Sequence, residues 1–423
     1  MANRIVIKNA NELVTCSGFS AKKGKEMSQL NIIHQGALIV EDGLIKAVGK
    51  TKDIINDSIE KNSIVIDVSG KTVLPGFVDS HTHFVFGGYR AEEFGWRLSG
   101  DDYMSIMKRG GGIANSVNAT REESFIKLRE NGYKRLNSML NFGVTTVEGK
   151  SGYGLDYETE LKQLHVMKEL NKQHPLDIVA TFMGAHSVPV QYKGRPDDYI
   201  EYIINVVLKD IVKDQLAEYC DVFCEEGVFS IEQSSKLLKA AKELGLKIKL
   251  HADEIVDLGG AKLASELCAV SADHLLMASD EGLLALKESG TIATLLPGTA
   301  FSLKEAYARA RFIIDQGLAV ALATDFNPGS CYTESIPLII ALATRNMNMT
   351  TEETITALTI NGAAALNRAE LIGSLDVGKI GDVVIHDCPS HQFLSYHMGV
   401  NMVETVIKRG QIVLDRRKEN TRC

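Results

Sequence analysis

Two closely spaced histidines are the strongest candidates for chemistry in this 423-residue chain. In the segment GFVDSHTH, His81 and His83 are two residues apart, so both imidazoles would emerge on the same side of an extended strand. Two later apolar segments also end near a potential ligand, His251 in KIKLHADE and Asp325 in ALATDF. Imidazole nitrogen and carboxylate oxygen together suit zinc or iron. The sequence therefore predicts one metal ion bound by His81, His83, His251 and Asp325.

A metal site of this kind predicts hydrolysis or hydrolytic deamination. Zinc and similar ions lower the pKa of bound water to about 7, which makes hydroxide available under mild conditions. A second ion would usually need a bridging group, which in (β/α)8 barrels with such sites is commonly a carboxylated lysine at the end of the fourth strand. The corresponding segment here, DVFCEEGVF, has no lysine, so we expect a single ion. Lys150, in VEGKSGYG, is expected in a loop or in contact with substrate.

Other polar residues at segment ends could move protons or bind charge. Glu254 lies three residues after His251, and we predict that it is the general acid and base. Alternatively, Glu254 and Asp253 cap the following helix. His186 ends TFMGAH and His274 ends SADH, so both are further candidates for the same site.

The segments that carry these residues alternate with helical patterns. There are eight short apolar segments, and the intervening stretches, such as YETELKQLHVMKELNKQ, have apolar residues at helical spacing. Strands that alternate with helices imply a parallel sheet, and eight of them fit a (β/α)8 barrel. An open doubly wound sheet is the alternative, but no Gly-rich dinucleotide fingerprint follows the first strand. The candidate residues would then lie at the carboxyl ends of barrel strands, where barrel enzymes have their active sites.

Both ends of the chain have a different texture, with short β-branched segments separated by Gly, Asn and Asp turns. The last pair of segments predicts two strands joined by a turn at Arg409-Gly410. Each end is too small to bury a core alone. We therefore predict a composite β-sandwich built from residues 1–73 and 371–423, and a hydrolase barrel over residues 74–370.

Charge and cysteine content exclude several classes of function. Lys and Arg number 46 against 54 for Asp and Glu, and the net charge of -8 disfavours a nucleic-acid partner, which needs a basic surface. The first residues have no apolar stretch typical of a secretory signal, and no later run predicts a membrane span. Seven scattered cysteines indicate reduced thiols, so we expect a cytoplasmic protein.

Six motifs together carry a family resemblance: HTHFVFGG, EGKSGYGL, TFMGAH, HADE, SADHL and ATDFNPGS. They resemble the imidazolonepropionase family, a branch of the amidohydrolase superfamily, over nearly the whole chain. The resemblance implies hydrolysis of the ring lactam C–N bond of 4-imidazolone-5-propanoate to N-formimidoyl-L-glutamate in histidine degradation. It also implies one zinc or iron ion per subunit, held by the four residues named above, and a homodimer.

The resemblance further assigns seven substrate contacts: Arg90, Tyr153, His186, Glu254, Asn327, Gly329 and Ser330. The Arg90 guanidinium could bind the propionate carboxylate through two parallel hydrogen bonds, or it could pair with Glu92 or Glu93. Tyr153, between two glycines, could present its hydroxyl to the substrate or pack against its surroundings. The segment from Asn327 to Ser330 could supply polar anchors or form a simple turn.

In the implied mechanism, water activated by the metal attacks the lactam carbonyl. Glu254 accepts the proton of that water and returns it to the ring nitrogen, while Asp325 orients the nucleophile. His186 and His274 stabilise the developing oxyanion. The alternative is a mononuclear aminohydrolase of the guanine or cytosine deaminase type, which would release ammonia. Arg309 and Arg311, in YARAR, are expected on a helix face.

Overall fold

The computed structural model describes residues 4–100, 109 and 111–417. The strands of this part form two eight-stranded sheets. The amino-terminal strands are β1 (Arg4–Val14), β2 (Ile32–Glu41), β3 (Leu44–Lys50), β4 (Ile64–Asp67) and β5 (Thr72–Pro75). Strands β2 and β3 pair from Glu41 to Leu44 around a two-residue turn. Asp42 and Gly43 both have positive φ there, 50° and 80°, as a type I′ hairpin requires.

The second sheet is the predicted (β/α)8 barrel. Its strands are β6 (Phe77–Asp79), β7 (Val144–Lys150), β8 (Asp177–Ala185), β9 (Tyr219–Cys224), β10 (Lys247–Ala252), β11 (Ser271–His274), β12 (Ile292–Leu295) and β13 (Val320–Leu322). Neighbouring strands are parallel and pair in chain order from β6 to β13. The barrel closes just beyond its last strand, where Asp325 N donates to His81 O at 3.0 Å and His83 N donates to Phe326 O at 2.8 Å. The eight apolar segments therefore all form barrel strands.

The carboxyl-terminal strands return to the first sheet. They are β14 (Val383–His386), β15 (Val403–Lys408) and β16 (Gln411–Asp415). The strand order is β16-β15-β14-β5-β1-β2-β3, with β4 against β1, so segments from both ends share one mixed sheet. The predicted turn at Arg409-Gly410 is confirmed, because Lys408 pairs with Gln411 across it. This sheet has an apolar core of its own, formed by residues such as Leu13, Leu38 and Ile407.

The helices that cover the barrel are Ala91–Leu98, Ile113–Glu122, Phe125–Asn141, Tyr157–Gln173, Pro196–Tyr202, Leu208–Lys213, Ile231–Glu243, Gly260–Glu266, Asp280–Ser289, Pro297–Leu303, Ala310–Asp315, Ile336–Asn346, Thr351–Leu358 and Ile360–Ala364. Three shorter α-helices are Thr51–Ile54, Asp57–Glu60 and Phe393–Tyr396. Short 3-10 turns occupy Gly24–Ser28 and Val190–Tyr192, and a π-helical turn occupies Ile203–Val207. No helix in the described ranges is both long and apolar enough to cross a bilayer.

Local sequence explains where the barrel helices begin. Ser230 accepts a hydrogen bond from Gln233 N, and the Gln233 side chain accepts one from Ser230 N, which is a capping box. The helix that follows buries Leu237, Leu238 and Ala241 against the barrel. Each such helix leads from the carboxyl end of one strand to the amino end of the next, so the carboxyl ends, where the site residues lie, share one side of the barrel.

Candidate active site

Two histidines and one aspartate meet where the first and last barrel strands close. His81 and His83 follow β6, and Asp325 follows β13. The Asp325 Oδ1 atom lies 3.5 Å from His81 Nε2 and 4.0 Å from His83 Nε2. All three side chains are buried. The backbone bonds that close the barrel therefore also bring these ligand candidates together.

His251, near the carboxyl end of β10, completes this group. Its ring centre lies 4.5 Å from that of His81 and 5.7 Å from that of His83. Ligand atoms of these three histidines all lie within 4.8 Å of one another, and a second group of this kind joins His81, His274 and Asp325. Four predicted ligands from three separate strand ends thus converge, with His274 beside them.

The donor set fits a divalent metal ion. Burial lowers the pKa of His81, His83 and His274 well below the usual range, with neighbouring cationic groups adding to the effect, so these rings are neutral and keep a lone pair. The buried His81 Nε2 atom and both ring nitrogens of His274 have no hydrogen-bond partner among the described residues. Buried polar atoms normally have a partner, so these nitrogens indicate a missing ligand. Neutral imidazole with carboxylate is a usual donor set for zinc or iron.

The Asp325 carboxylate is held in a defined orientation. Asp325 has a φ of 52°, a left-handed backbone conformation that is uncommon for non-glycine residues and is often found at functional sites. Thr299 Oγ1 donates to Oδ2 at 2.5 Å, which leaves Oδ1 directed at the two histidines. Burial raises the pKa of Asp325 to about 6. Thr299 was not predicted from the sequence, because no pattern links it to the eighth strand.

Beneath the histidines lies a cluster of five buried charged residues, which we call the basal cluster: Glu148, Lys150, Asp221, Lys249 and Asp273. Asp273 Oδ2 lies 2.6 Å from His81 Nδ1, and Asp221 Oδ2 lies 3.1 Å from His251 Nδ1. The expectation of a loop position for Lys150 is wrong, because it is the last residue of β7 and is fully buried.

The sequence does contain a signal for the basal cluster. Glu148 and Lys150 are two residues apart on β7, and Lys249 and His251 are two apart on β10. Residues two apart share a face of a strand, so each pair points to the same side of the barrel wall. Charged residues at that spacing in an otherwise apolar strand predict a polar barrel interior.

The two acidic residues after β10 have different surroundings. Asp253 accepts hydrogen bonds from four backbone N–H groups, those of Leu258, Gly259, Gly260 and Ala261, and so caps the helix that follows. Glu254 does not cap it. Its Oε1 atom lies 3.5 Å from His274 Nδ1, and burial, reinforced by Asp325 and Glu225, raises the pKa of Glu254 to about 8.

Glu225 holds the segment that carries Glu254. Its carboxylate accepts hydrogen bonds from the backbone N–H groups of Glu254, Ile255 and Val256, at 3.1, 2.8 and 3.2 Å. Glu225 follows β9 directly and is buried. The fourth strand therefore positions the proton-transfer candidate of the fifth, a role that the sequence did not reveal.

His186 and Tyr153 line the other side of the histidine group. The His186 ring stacks on His83 with centres 5.0 Å apart, and its Nδ1 lies 3.1 Å from Gly152 O. Burial lowers the pKa of His186 to about 3, so this ring is neutral. Tyr153 is 3% exposed and lies edge-on to both His83 and His186. Both residues thus adjoin the predicted ligands.

The segment after Asp325 forms a closed turn. Asn327 Oδ1 accepts from the N–H groups of Gly329 and Ser330, both at 2.8 Å, and Asn327 Nδ2 donates to Asp325 O at 2.7 Å. The side chain of Ser330 also bonds to Asn327. The turn alternative therefore describes the observed bonds, and this turn supports the backbone of Asp325.

Arg90, in the segment that follows β6, lies against this turn. Its Nε donates to Glu93 Oε2 at 2.8 Å, so the ion-pair alternative is observed with Glu93. A Cβ atom added to Gly329 would lie 2.0 Å from Arg90 Nη1. Gly329 thus gives the guanidinium room to lie against the turn. Arg311 lies on the helix Ala310–Asp315, as expected, and pairs with Glu353, whereas Arg309 precedes that helix and pairs with Asp280.

Comparison with known proteins agrees with this fold. A model of the amidohydrolase family matches residues 72–413. Zinc-bound atrazine chlorohydrolase from Arthrobacter aurescens is similar in structure, with a TM-score of 0.75 at 17% identity over 97% of this chain and 95% of that chain. Ochratoxinase from A. niger gives a TM-score of 0.71 at 19% identity, over 98% and 96%. The chain therefore belongs to the amidohydrolase family.

Curated relatives narrow the assignment further. Imidazolonepropionase from Clostridium tetani is 63% identical to this chain over 97% of the chain and 98% of that protein. The enzyme of the same name from Bacteroides fragilis is 59% identical, over 97% and 99%. Within the amidohydrolases, this chain groups with the imidazolonepropionases.

Proposed function

We propose that this chain hydrolyses the ring lactam C–N bond of 4-imidazolone-5-propanoate to N-formimidoyl-L-glutamate, a step in the degradation of histidine. The observation that carries the proposal is the convergence of His81, His83, His251 and Asp325 at the barrel mouth, with Glu254 beside them. The near full-length identity to imidazolonepropionases supports the choice of substrate.

One zinc or iron ion would be held by His81, His83, His251 and Asp325. When bound, such an ion lowers the pKa of water to about 7 and so supplies a nucleophile at neutral pH. A zinc-bound relative in structure supports the presence of a metal, and the donor set suits either element. Among the described residues His81, Glu148 and Asp273 form a further group that could hold an ion, but Glu148 there already accepts hydrogen bonds from the ammonium groups of Lys150 and Lys249, so we propose a single ion.

Glu254 would be the group that transfers protons. As a carboxylate it accepts a proton from the attacking water, and as the acid it returns that proton to the ring nitrogen when the C–N bond breaks. A pKa of about 8 is close to neutral pH, where a single group can work in both directions. The neighbouring His274 lies within reach of the same oxygen.

His274 would stabilise negative charge on the lactam oxygen. Its ring is neutral and buried, and neither ring nitrogen has a hydrogen-bond partner among the described residues, so it can offer one N–H donor to an oxygen that gains charge in the transition state. Removing one such donor typically lowers kcat by about a hundredfold or more. The neutral, half-buried His186 uses its one ring proton on Gly152 O, so its Nε2 would accept a hydrogen bond from the substrate and not donate one.

Arg90 would bind the propionate carboxylate. Glu93 takes its Nε, which leaves the two terminal nitrogens to form parallel hydrogen bonds with a carboxylate. The carboxylate of Glu93 also accepts from Gly112 N and Asn115 Nδ2, so it is fixed before substrate arrives. Tyr153, which lies edge-on to His83 and His186, would line the pocket beside the metal ligands.

The products of the reaction test the proposal. Purified protein would be incubated with 4-imidazolone-5-propanoate while ring absorbance, N-formimidoyl-L-glutamate and free ammonia are followed together. We expect ring opening with one product molecule per substrate and no ammonia. Stoichiometric release of ammonia would favour the deaminase alternative instead, and no reaction with this substrate would overturn the proposal.

A matched variant tests the role of Glu254 in the same assay. Glu254→Gln keeps the shape of the side chain but cannot carry the proton, so we expect kcat to fall by about a hundredfold or more. Metal content should stay at the wild-type level, because Glu254 is not a proposed ligand. Wild-type turnover in this variant would remove Glu254 from the mechanism.

The homodimer and the cytoplasmic location stay predictions, which sedimentation and cell fractionation would test.

A further inference from the structure

Two carboxylates of the basal cluster contact two of the four proposed metal ligands, and two lysines hold those carboxylates. Lys150 Nζ donates to Asp221 Oδ2 at 2.7 Å and to Glu148 Oε1 at 2.9 Å, and it lies 3.6 Å from Asp273 Oδ2. Lys249 Nζ donates to Glu148 Oε2 at 2.6 Å and lies 3.7 Å from Asp273 Oδ2. The two lysines thus link all three carboxylates.

Two of those carboxylates are also the partners of ligand histidines. Asp273 Oδ2 lies 2.6 Å from His81 Nδ1, and Asp221 Oδ2 lies 3.1 Å from His251 Nδ1. A carboxylate at Nδ1 takes the ring proton on that side and leaves Nε2 with its lone pair. The His81 Nε2 atom has no hydrogen-bond partner in the described part of the chain and lies beside Asp325. Asp273 thus selects the tautomer and the ring direction that a metal requires of His81, and Asp221, in ion-pair contact with His251 Nδ1, favours the same tautomer of His251.

The cluster is costly as a purely structural feature. All five side chains are fully buried, whereas the interiors of such barrels are filled mostly by branched apolar residues. Buried ion pairs commonly stabilise a protein less than well-packed apolar side chains of similar volume. Lys249 Nζ also donates to Ser80 O at 2.8 Å, the residue just before His81. The bonds are therefore directed at the metal ligands and at the backbone that carries one of them.

We propose that Lys150 and Lys249 are positioning residues for the metal: they hold Asp221 and Asp273, which in turn orient His251 and His81. The proposal goes beyond the reaction assigned above and rests on it only for the identity of the ligands. It predicts that residues without any contact to the ion determine how tightly the ion binds.

The test measures metal affinity and not turnover. Zinc dissociation constants would be determined by competition with a chromophoric chelator, and cobalt-loaded protein would report ligand geometry by its visible absorption. The variants are Lys150→Met, Asp273→Asn and Ser271→Ala. Ser271 Oγ donates to Asp273 Oδ1 at 2.6 Å, so its loss is a mild change at the same carboxylate. Thermal unfolding of each metal-free variant measures its stability separately.

Lys408→Met is the matched control. Lys408 is also buried and also donates to two carboxylates, those of Asp382 at 2.6 Å and Asp177 at 2.9 Å. Asp177 is the first residue of β8, so the ion pair of Lys408 and Asp177 lies at the amino end of the barrel strands, away from the site. We expect the control to lower the unfolding temperature and to leave zinc affinity unchanged.

For Lys150→Met and Asp273→Asn we expect zinc affinity to fall by about ten- to a hundredfold, with an altered cobalt spectrum, and for Ser271→Ala a smaller fall. Wild-type affinity in the folded variants, or an equal loss in the control, would overturn the proposal. If Lys150→Met does not fold, Asp273→Asn and Ser271→Ala decide. Failure of the wild-type protein to open the imidazolone ring would not affect these outcomes, so the two proposals fail separately.

Discussion

At the scale of single residues, the predicted ligands were easier to find than the residues that hold them. His81, His83, His251 and Asp325 stand at strand ends in recognisable segments, and the structure brings them within a few ångströms of one another. Thr299 and Glu225 act through hydrogen bonds that depend on which strands are neighbours in the closed barrel. No single segment of the sequence contains that information.

Gly329 offers a test of the substrate pocket at this scale. In Gly329→Ala the new methyl group would overlap Arg90 Nη1, so the guanidinium must move away from the turn. We expect KM for imidazolonepropanoate to rise about tenfold with kcat much less affected, as for a lost binding contact. Steady-state kinetics measures both.

Gly95→Ala is the control for that variant, because no atom of the described residues lies within 4 Å of a Cβ atom added to this helical glycine. Its kinetics should match the wild type. An unchanged KM in Gly329→Ala would separate Arg90 from carboxylate recognition.

At the scale of elements, hydrophobic periodicity was sufficient to find the barrel. All eight apolar segments form strands in one parallel sheet, and the turn at Arg409-Gly410 forms as predicted. Lys150 was misjudged because Gly-rich residues follow it and a lysine usually marks a solvent-exposed position. The carboxylates that stabilise its buried ammonium come from β9 and β11, far away in the sequence.

The loop after β10 gives a test at this scale. In Glu225→Ala the backbone N–H groups of residues 254–256 lose their acceptor. We expect Glu254 to lose its fixed position, so kcat should fall by roughly tenfold or more. Amide hydrogen exchange in that segment should become faster.

The exposed neighbour Glu226 supplies the comparison, and Glu226→Ala should behave as wild type in both measurements. Unchanged exchange and unchanged kcat in Glu225→Ala would show that the loop does not depend on this carboxylate.

At the scale of the whole molecule, one buried histidine joins three parts of the chain. His391 Nδ1 lies 2.7 Å from Glu12 Oε2 on β1, and its Nε2 lies 3.2 Å from Glu352 Oε1 on a barrel helix. Burial alone would lower the pKa of His391, but hydrogen bonds to both carboxylates raise it overall. The hydrogen bond from His391 in turn lowers the pKa of Glu352 to about 2.

This arrangement predicts how stability depends on pH. The histidine contribution is fully present below its unfolded pKa of 6.5 and is lost as pH rises through the raised folded value. The Glu352 contribution is fully present above 4.5 and is lost as pH falls toward 2. The difference in unfolding free energy between wild type and His391→Gln should therefore be largest from pH 4.5 to 6.5 and should shrink at alkaline pH.

Urea unfolding at several pH values measures that difference, with exposed His397→Gln as the control. A difference that is independent of pH would mean that His391 stabilises the fold by packing alone.

The most direct test of the whole account is a titration of metal-depleted protein with zinc or iron during hydrolysis of 4-imidazolone-5-propanoate. We expect negligible turnover without metal and a hydrolysis rate that rises linearly with added metal until one ion is bound per chain. His81→Ala and Asp325→Ala should not recover activity. Full turnover by metal-depleted protein, or saturation only at two ions per chain, would contradict the account.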